Sequence, residues 1–361
     1  MSNTSFPTRP LGRTDMSITR VGFGAWAAGG ADWAAGWGAQ DDSLSIAAIR
    51  HAVERGINWI DTAAVYGLGH SEEIVRAALK GLAPSQRPYV FTKCGLVWDE
   101  NNRKAAPRRV GAAASIRREA EASLQRLGVE RIDLYQMHWP SGDGAPLDEY
   151  WQALLDLKQA GKVRAIGLSN HNVAQLEDAE RLGHVDTLQP PFSAIRRDVA
   201  ADLLPWCAAH GTGVIVYSPM QSGLLSGHFD ESRAKQLAAD DWRSHDAEFQ
   251  GANLARNLML AEAFKPVAER HGSTVAATAV AWTLAWQGVS GAIVGARAPA
   301  QVDGWLGAAT LELDADDMAQ IAAVIETSGV GTGPASPARQ AGATLPLVDE
   351  RSGGLSGLNL P

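Results

Sequence analysis

The chain has 361 residues, of which 45% are hydrophobic and 20% charged. These ordinary globular values exclude a largely disordered chain and allow a core that needs no disulfide or metal to hold it. The formal net charge of −8, with no dense run of Lys or Arg, argues against a nucleic-acid partner.

The opening segment "MSNTSFPTRPLGRTDMS" has no apolar h-region, and no run of about 18 apolar residues follows. Neither a signal peptide nor a membrane helix is expected, and the default location is the cytoplasm. Cys94 and Cys207, the two cysteines, lie in no CxxC or Cys/His cluster, which fits a reducing compartment and no metal site.

In chain order, "RPLGRTDMSITRV" reads as a hairpin turning near Gly12-Arg13-Thr14-Asp15, placed to plug the bottom of whatever follows. A pattern then repeats: short apolar strand, polar turn, amphipathic helix. The strands are "VGFGAW" (Val21–Trp26), "NWIDTA" (Asn58–Ala63), "YVFTKCG" (Tyr89–Gly95) and "IDLYQMHW" (Ile132–Trp139). "VRAIGLSN" (Val163–Asn170), "DTLQPP" (Asp186–Pro191), "GVIVYSP" (Gly213–Pro219) and "GAIVGA" (Gly291–Ala296) complete eight. Between them, "SLSIAAIRHAVERG" follows an Asp41-Asp42-Ser43 cap and stops at Gly56. "SEEIVRAALKG" opens at Ser71 with acids in its first turn, and "SIRREAEASLQRLG" stops at Gly128. "LDEYWQALLDLKQAGK", "NVAQLEDAERLG" and "DVAADLLPWCAAHG" follow the same grammar.

Strands alternating with helices imply a parallel sheet, and eight units predict a closed (β/α)8 TIM barrel. An open doubly wound sheet would want GxGxxG after its first strand; "GFGAWAAGG" has alanine at the third glycine position, Ala27. Outside the repeat lie a long insertion after strand seven, from about Gln221 to Asn257, and a final helix, "DADDMAQIAAVIE". Residues 1–328 form the barrel, and 329–361 are a tail rich in Gly, Ala, Pro and Ser. That tail is expected to be solvated, although Leu345, Leu347 and Leu355 leave docking open.

Barrel chemistry gathers at the C-terminal ends of the strands. Strand two ends in Asp61 with Tyr66 in its loop, strand three carries Lys93 and strand four ends in His138. Each alone is more often structural than catalytic. Four on neighbouring strands converge when the barrel closes, and acid-assisted carbonyl reduction uses all four. Hydride addition to C=O creates an alkoxide that needs a proton. A phenol near pKa 10 is a poor donor near neutrality unless an ammonium lowers it, which is the role expected of Lys93, held charged by Asp61. His138 orients the carbonyl. A Schiff-base role for Lys93 would need a depressed pKa, which Asp61 opposes. Cys94 alternates away from the lumen and reads as packing. Trp26, Trp98 and Trp139 are expected to wall the substrate pocket, with Trp33 and Trp37 in an extended first loop.

"DTAAVYGLGHSEE", "FTKCG", "QMHWP", "GLSN", "LQPPF" and "VYSPMQSGLLSG" together resemble the aldo-keto reductases, from about Pro7 to Ile325. The long seventh loop and "AIVGARAPAQ" are most similar to the branch of bacterial sugar and inositol dehydrogenases and potassium-channel β subunits. The resemblance implies that Asp61, Tyr66, Lys93 and His138 form the catalytic tetrad, and that the chain binds NADP(H), with NAD(H) as the alternative, without a Rossmann domain. It implies that Ser169, Asn170 and Gln189 hold the nicotinamide carboxamide, and that Tyr217 stacks on its ring. Ser218, Pro219, Met220, Ser222, Gly223 and Leu224 would wrap the pyrophosphate, Gly24, Ala25 and Trp26 would contact the cofactor from strand one, and Gly295, Arg297 and Gln301 would hold the adenosine end. Arg297 would pair with a 2′-phosphate. The pattern's Lys is His228 here, and its Glu-Asn is Gly304-Trp305, which puts Trp305 in reach of adenine. The implied activity is oxidation or reduction of a small aldehyde, ketone or sugar; a redox-sensing module with little turnover is the alternative. Oligomeric state stays open.

Overall fold

A computed structural model of the chain describes residues 6–238 and 241–337. The strands are β1 (Thr8–Pro10), β2 (Ser17–Thr19), β3 (Val21–Gly24), β4 (Trp59–Asp61), β5 (Tyr89–Cys94), β6 (Leu96–Val97), β7 (Arg108–Arg109), β8 (Ile132–Met137), β9 (Val163–Ser169), β10 (Thr187–Gln189), β11 (Gly213–Val216) and β12 (Val289–Gly295). The helices are α1 (Asp42–Glu54), α2 (His70–Leu79), α3 (Ala113–Leu127), α4 (Leu147–Gln159), α5 (Val173–Leu182), α6 (Leu203–His210), α7 (Glu231–Lys235), α8 (Gly251–Arg270), α9 (Val275–Leu284), α10 (Pro299–Leu306) and α11 (Ala315–Ser328).

β3, β4, β5, β8, β9, β10, β11 and β12 pair in parallel around a closed barrel, so the TIM-barrel expectation holds. Period-two alternation sorts each stave into a lumen face and a helix face. Trp59, Phe91, Leu134, Ala165, Ile215 and Ile293 fill the lower lumen. The β1–β2 hairpin turns through an N–H of Leu11 bonded to the Met16 carbonyl, and its Leu11, Met16 and Ile18 cap that cluster from below. The hairpin is the expected plug. Gly22 faces the Trp59 indole so closely that an added Cβ would fall 2.1 Å from it, which is why strand one carries no side chain there. Cys94 points outward into the strand–helix core, as the alternation predicts.

Two expectations change. The insertion after β11 is shorter than the sequence suggests, because α8 starts at Gly251, well before Asn257. The segment before it is built of short turns capped by Asp230, Asp241 and Asp246 rather than an open loop. α8 is an extra helix that packs on α11; Arg270 and His271 at its C-terminal end both reach Asp317, each at 2.6 Å. The tail also departs from the solvated expectation where it is described. Val330 is buried, and the Arg197 guanidinium donates to the carbonyls of Val330 at 2.9 Å and Pro334 at 3.1 Å. Leu345, Leu347 and Leu355 lie outside the described residues. No helix among the described residues is long and apolar enough to cross a membrane.

Candidate active site

Asp61 and Lys93 both face the lumen, one layer above the apolar plug. The β4–β5 register places Asp61 beside Phe91, so Lys93, two residues further along the same face, reaches across to it. Lys93 Nζ donates to Asp61 Oδ2 at 2.5 Å and to the Thr62 carbonyl at 2.9 Å. The other carboxylate oxygen accepts from Gln189 Nε2 at 2.8 Å. Burial pushes both groups toward neutrality, Asp61 upward and Lys93 downward, and their mutual attraction opposes both shifts.

Tyr66 sits in the loop between β4 and α2. That loop is pinned by a Thr62–Ser71 hydroxyl pair at 2.8 Å and by Ser71 donating to the Ala25 carbonyl. The first loop lies directly against it: a Cβ on Gly29 would meet the Gly67 backbone nitrogen at 2.6 Å, so the two loops touch backbone to backbone. The Lys93 ammonium lies 5.3 Å from the centre of the Tyr66 ring. His138 meets that ring edge-on at 5.8 Å, and Trp26 stacks on it at 5.9 Å.

The expected lowering of the Tyr66 pKa is not met. Burial raises the phenol well above its ordinary value, and the Asp61 charge acts in the same direction, so the hydroxyl keeps its proton. Burial, with Lys93 second, holds the His138 imidazole well below its ordinary value, so it is neutral near pH 7. Glu72, one of the acids in the first turn of α2, is fully buried. It accepts from Thr92 and Arg126, each at 2.6 Å.

The Asp61–Tyr66–His138 cluster opens into a cavity of about 890 Å3, within the usual range for small-molecule sites. One end is bounded by Trp26, Trp33, Trp37, Leu96, Pro107 and Trp139. Trp98 is not in the wall, contrary to expectation: it packs against the small cluster of Trp33, Ala63 and Val65 and donates its indole N–H to Glu100. Along the floor run Ser169, Asn170, Gln189 and Tyr217. The Tyr217 hydroxyl donates to Asn170 Oδ1 at 2.8 Å, and Asn170 Nδ2 donates to the His138 carbonyl at 3.0 Å. Gln189, read from the sequence as a pure cofactor contact, thus also belongs to the Asp61 network. Gly24 and Ala25 line the cavity beside Asp61, and the far end is lined by Ser218, Pro219, Met220, Ser222, Gly223, Gly295, Arg297, Gln301 and Trp305, while Leu224 is buried behind it.

Backbone strain gathers here. Six described non-glycine residues have positive φ, and three of them (Asn170, Ser218 and Ser222) line this floor and its far end, the kind of strain that accumulates where a ligand is gripped. Arg297 is held by neutral acceptors, Gln40 Oε1 at 2.6 Å and the Ala39 carbonyl, with no carboxylate pairing among the described residues. A guanidinium positioned but not neutralised fits an anion. Arg243, which the sequence reading missed, reaches the Ser222 carbonyl at 3.2 Å and stacks over Trp37 at 5.1 Å. Only the fold of the seventh loop brings it there.

A profile of the aldo/keto reductase family matches residues 20–326. The chain belongs to the aldo/keto reductase family. It is 34% identical to the aldo-keto reductase YhdN of Bacillus subtilis, over 87% of this chain and 92% of that one. It is 36% identical to the NADH-specific methylglyoxal reductase of Escherichia coli, over 88% of this chain and 98% of that one. Among solved structures it resembles the glycerol dehydrogenase of Gluconobacter oxydans, with a TM-score of 0.81 and 36% identity, covering 94% of this chain and all of that one. As an aldo/keto reductase, the protein is an oxidoreductase acting on carbonyl or alcohol groups with NAD(P)(H). The floor and far end of the cavity suit that cofactor: amide and hydroxyl groups at one end, and an unneutralised arginine at the other.

Proposed function

We propose that this aldo/keto reductase interconverts small aldehydes, ketones or sugars with their alcohols, prefers NADP(H), and uses Tyr66 as its proton donor. The observation that carries the reading is the Tyr66 phenol at the cavity wall, edge-on to the His138 ring at 5.8 Å and with Lys93 Nζ 5.3 Å from its ring centre. A bound nicotinamide supplies the hydride. His138, neutral, donates an N–H to the carbonyl oxygen and fixes its direction. As the C–O bond gains charge, the Tyr66 proton moves to that oxygen, giving the alcohol and a phenolate. The Lys93 ammonium stabilises that phenolate until solvent returns the proton, and Asp61 keeps Lys93 in place. The raised pKa makes the phenol a weaker acid, but an alkoxide is a stronger base still, and the Lys93 ammonium favours the phenolate as it forms.

Ser169, Asn170, Gln189 and Tyr217 would hold the nicotinamide end; Ser218–Gly223 and Arg243 the pyrophosphate; Gly295, Arg297, Gln301 and Trp305 the adenosine end. The preference for NADP(H) rests on Arg297, although one relative is named NADH-specific. Trp26 and Trp139 form apolar walls for the substrate. The test is Tyr66→Phe with NADPH and a panel of sugars, inositols and aromatic aldehydes. Turnover is expected to fall about 10²–10⁴-fold while NADPH binding, read by fluorescence, persists. Unchanged turnover refutes the assignment, and tight cofactor binding without turnover by the wild type refutes the enzymatic reading.

A further inference from the structure

The substrate end of the cavity carries a charge that the proposed reaction does not use. Arg109 stands on the β6–β7 ribbon opposite Leu96, and its carbonyl accepts from the Gly142 N–H at 3.0 Å, so its backbone is held on both sides. Its guanidinium lies 4.5 Å from the centre of the Trp139 ring, in the same cavity wall as Leu96, Pro107 and His138. The other cavity arginines have internal acceptors: the His228 carbonyl for Arg233, Asp241 for Arg243 and Gln40 for Arg297. Among the described residues Arg109 has no side-chain hydrogen bond or ion pair. Asp143, on the neighbouring segment, accepts instead from the N–H groups of Gly111 and Ala145.

A guanidinium stacked on an indole has its stem and plane restrained, while its N–H fork stays open to an outside acceptor. Carboxylates and phosphates match that fork with two parallel hydrogen bonds. Trp139 directly follows His138, and Arg109, Trp139 and His138 line the same cavity, so the fork faces the space in which the imidazole orients the carbonyl. We infer that Arg109 is a specificity-determining residue that selects carbonyl substrates bearing an anionic group, a carboxylate or a phosphate, at the end remote from C=O. The inference rests on the proposed reading of Tyr66 and His138 as the reacting end.

The test compares wild type, Arg109→Met and Arg109→Lys with NADPH on two matched pairs: succinic semialdehyde against butyraldehyde, and glyceraldehyde 3-phosphate against glyceraldehyde. In at least one pair the wild-type ratio of kcat/KM, charged over neutral, is expected to fall about tenfold to a hundredfold in Arg109→Met and to recover in part in Arg109→Lys. The responding pair tells carboxylate from phosphate. A ratio that moves less than twofold in both pairs overturns the inference. A second readout needs no turnover: succinate or inorganic phosphate is titrated against tryptophan fluorescence, with Trp139 beneath the site. A saturable response lost in Arg109→Met supports the anion site even if no aldehyde is reduced, in which case the catalytic reading alone fails. A response equal in both proteins, or none to either anion in wild type, overturns the site.

Discussion

Replacing Lys93 by methionine tests the buried pair at the centre of the site. Methionine keeps much of the apolar stem and removes the ammonium, so Asp61 retains the Gln189 amide as its side-chain partner. The two side chains are 0% and 4% exposed, so water does not replace the lost charge. Removing one partner of a buried pair costs about 3–5 kcal/mol. For a barrel of about 300 residues, unfolding entropy near 2 cal/mol/K per residue turns that into a melting temperature lower by about 5–8 °C. The effect also has a sign in pH. Burial already raises the Asp61 carboxyl above its ordinary 3.8, and Lys93 opposes that rise. Without Lys93 the folded variant binds a proton at pH values where the unfolded chain has lost it, so its stability falls as pH rises from about 4 through the folded value. Denaturant unfolding at pH 5 and pH 8 measures both effects, and Asp61→Asn/Lys93→Met is expected to recover at least half of the loss. A single-variant loss below about 1 kcal/mol at pH 8, or a larger loss at pH 5 than at pH 8, refutes the reasoning.

Three further outcomes follow from the same structure. Burial holds the His171 ring down to about 4 from the usual 6.5, so the unfolded chain takes up that proton first. Stability therefore drops as pH falls from 6.5 toward 4, by up to about 3 kcal/mol, and His171→Gln should flatten that limb of the stability–pH curve. Arg297→Ala should lower the NADPH-over-NADH ratio of kcat/KM about tenfold or more; an unchanged ratio removes Arg297 from the 2′-phosphate role. Arg197→Ala removes the donors that hold the carbonyls of Val330 and Pro334, and limited proteolysis should then cleave faster within residues 329–337.

Much of this protein can be read from local pattern. Strand period and helix caps are short-range properties, so eight staves, the plugging hairpin and the outward Cys94 follow from the sequence. Asp61, Tyr66, Lys93 and His138 are also legible, because strand ends are marked where apolar runs stop, and a barrel brings strand ends together. What failed was of a different kind. Trp98 follows soon after the β5 strand end, yet its indole packs on the Trp33, Ala63 and Val65 cluster and bonds Glu100, which its position in the chain does not reveal. Glu72 looks like a helix-cap acid until Arg126, 54 residues on, is seen beside it.

By itself, then, the sequence determined the barrel, the order of its strands and the types of group at their ends, because each depends on neighbours along the chain. The tertiary structure alone decided the electrostatics. Burial, a property of the whole packed lumen, keeps the Tyr66 phenol protonated and the His138 ring neutral, against a sequence-based expectation built on one nearby ammonium. It also decided which arginines remain available. Arg243 is paired with the Asp241 carboxylate, Arg297 is held by the neutral Gln40 and stays free for an anion, and Arg109, at the substrate end, stacks on Trp139 but meets no internal hydrogen-bond acceptor among the described residues, since only the folded loops determine which acceptors each guanidinium meets.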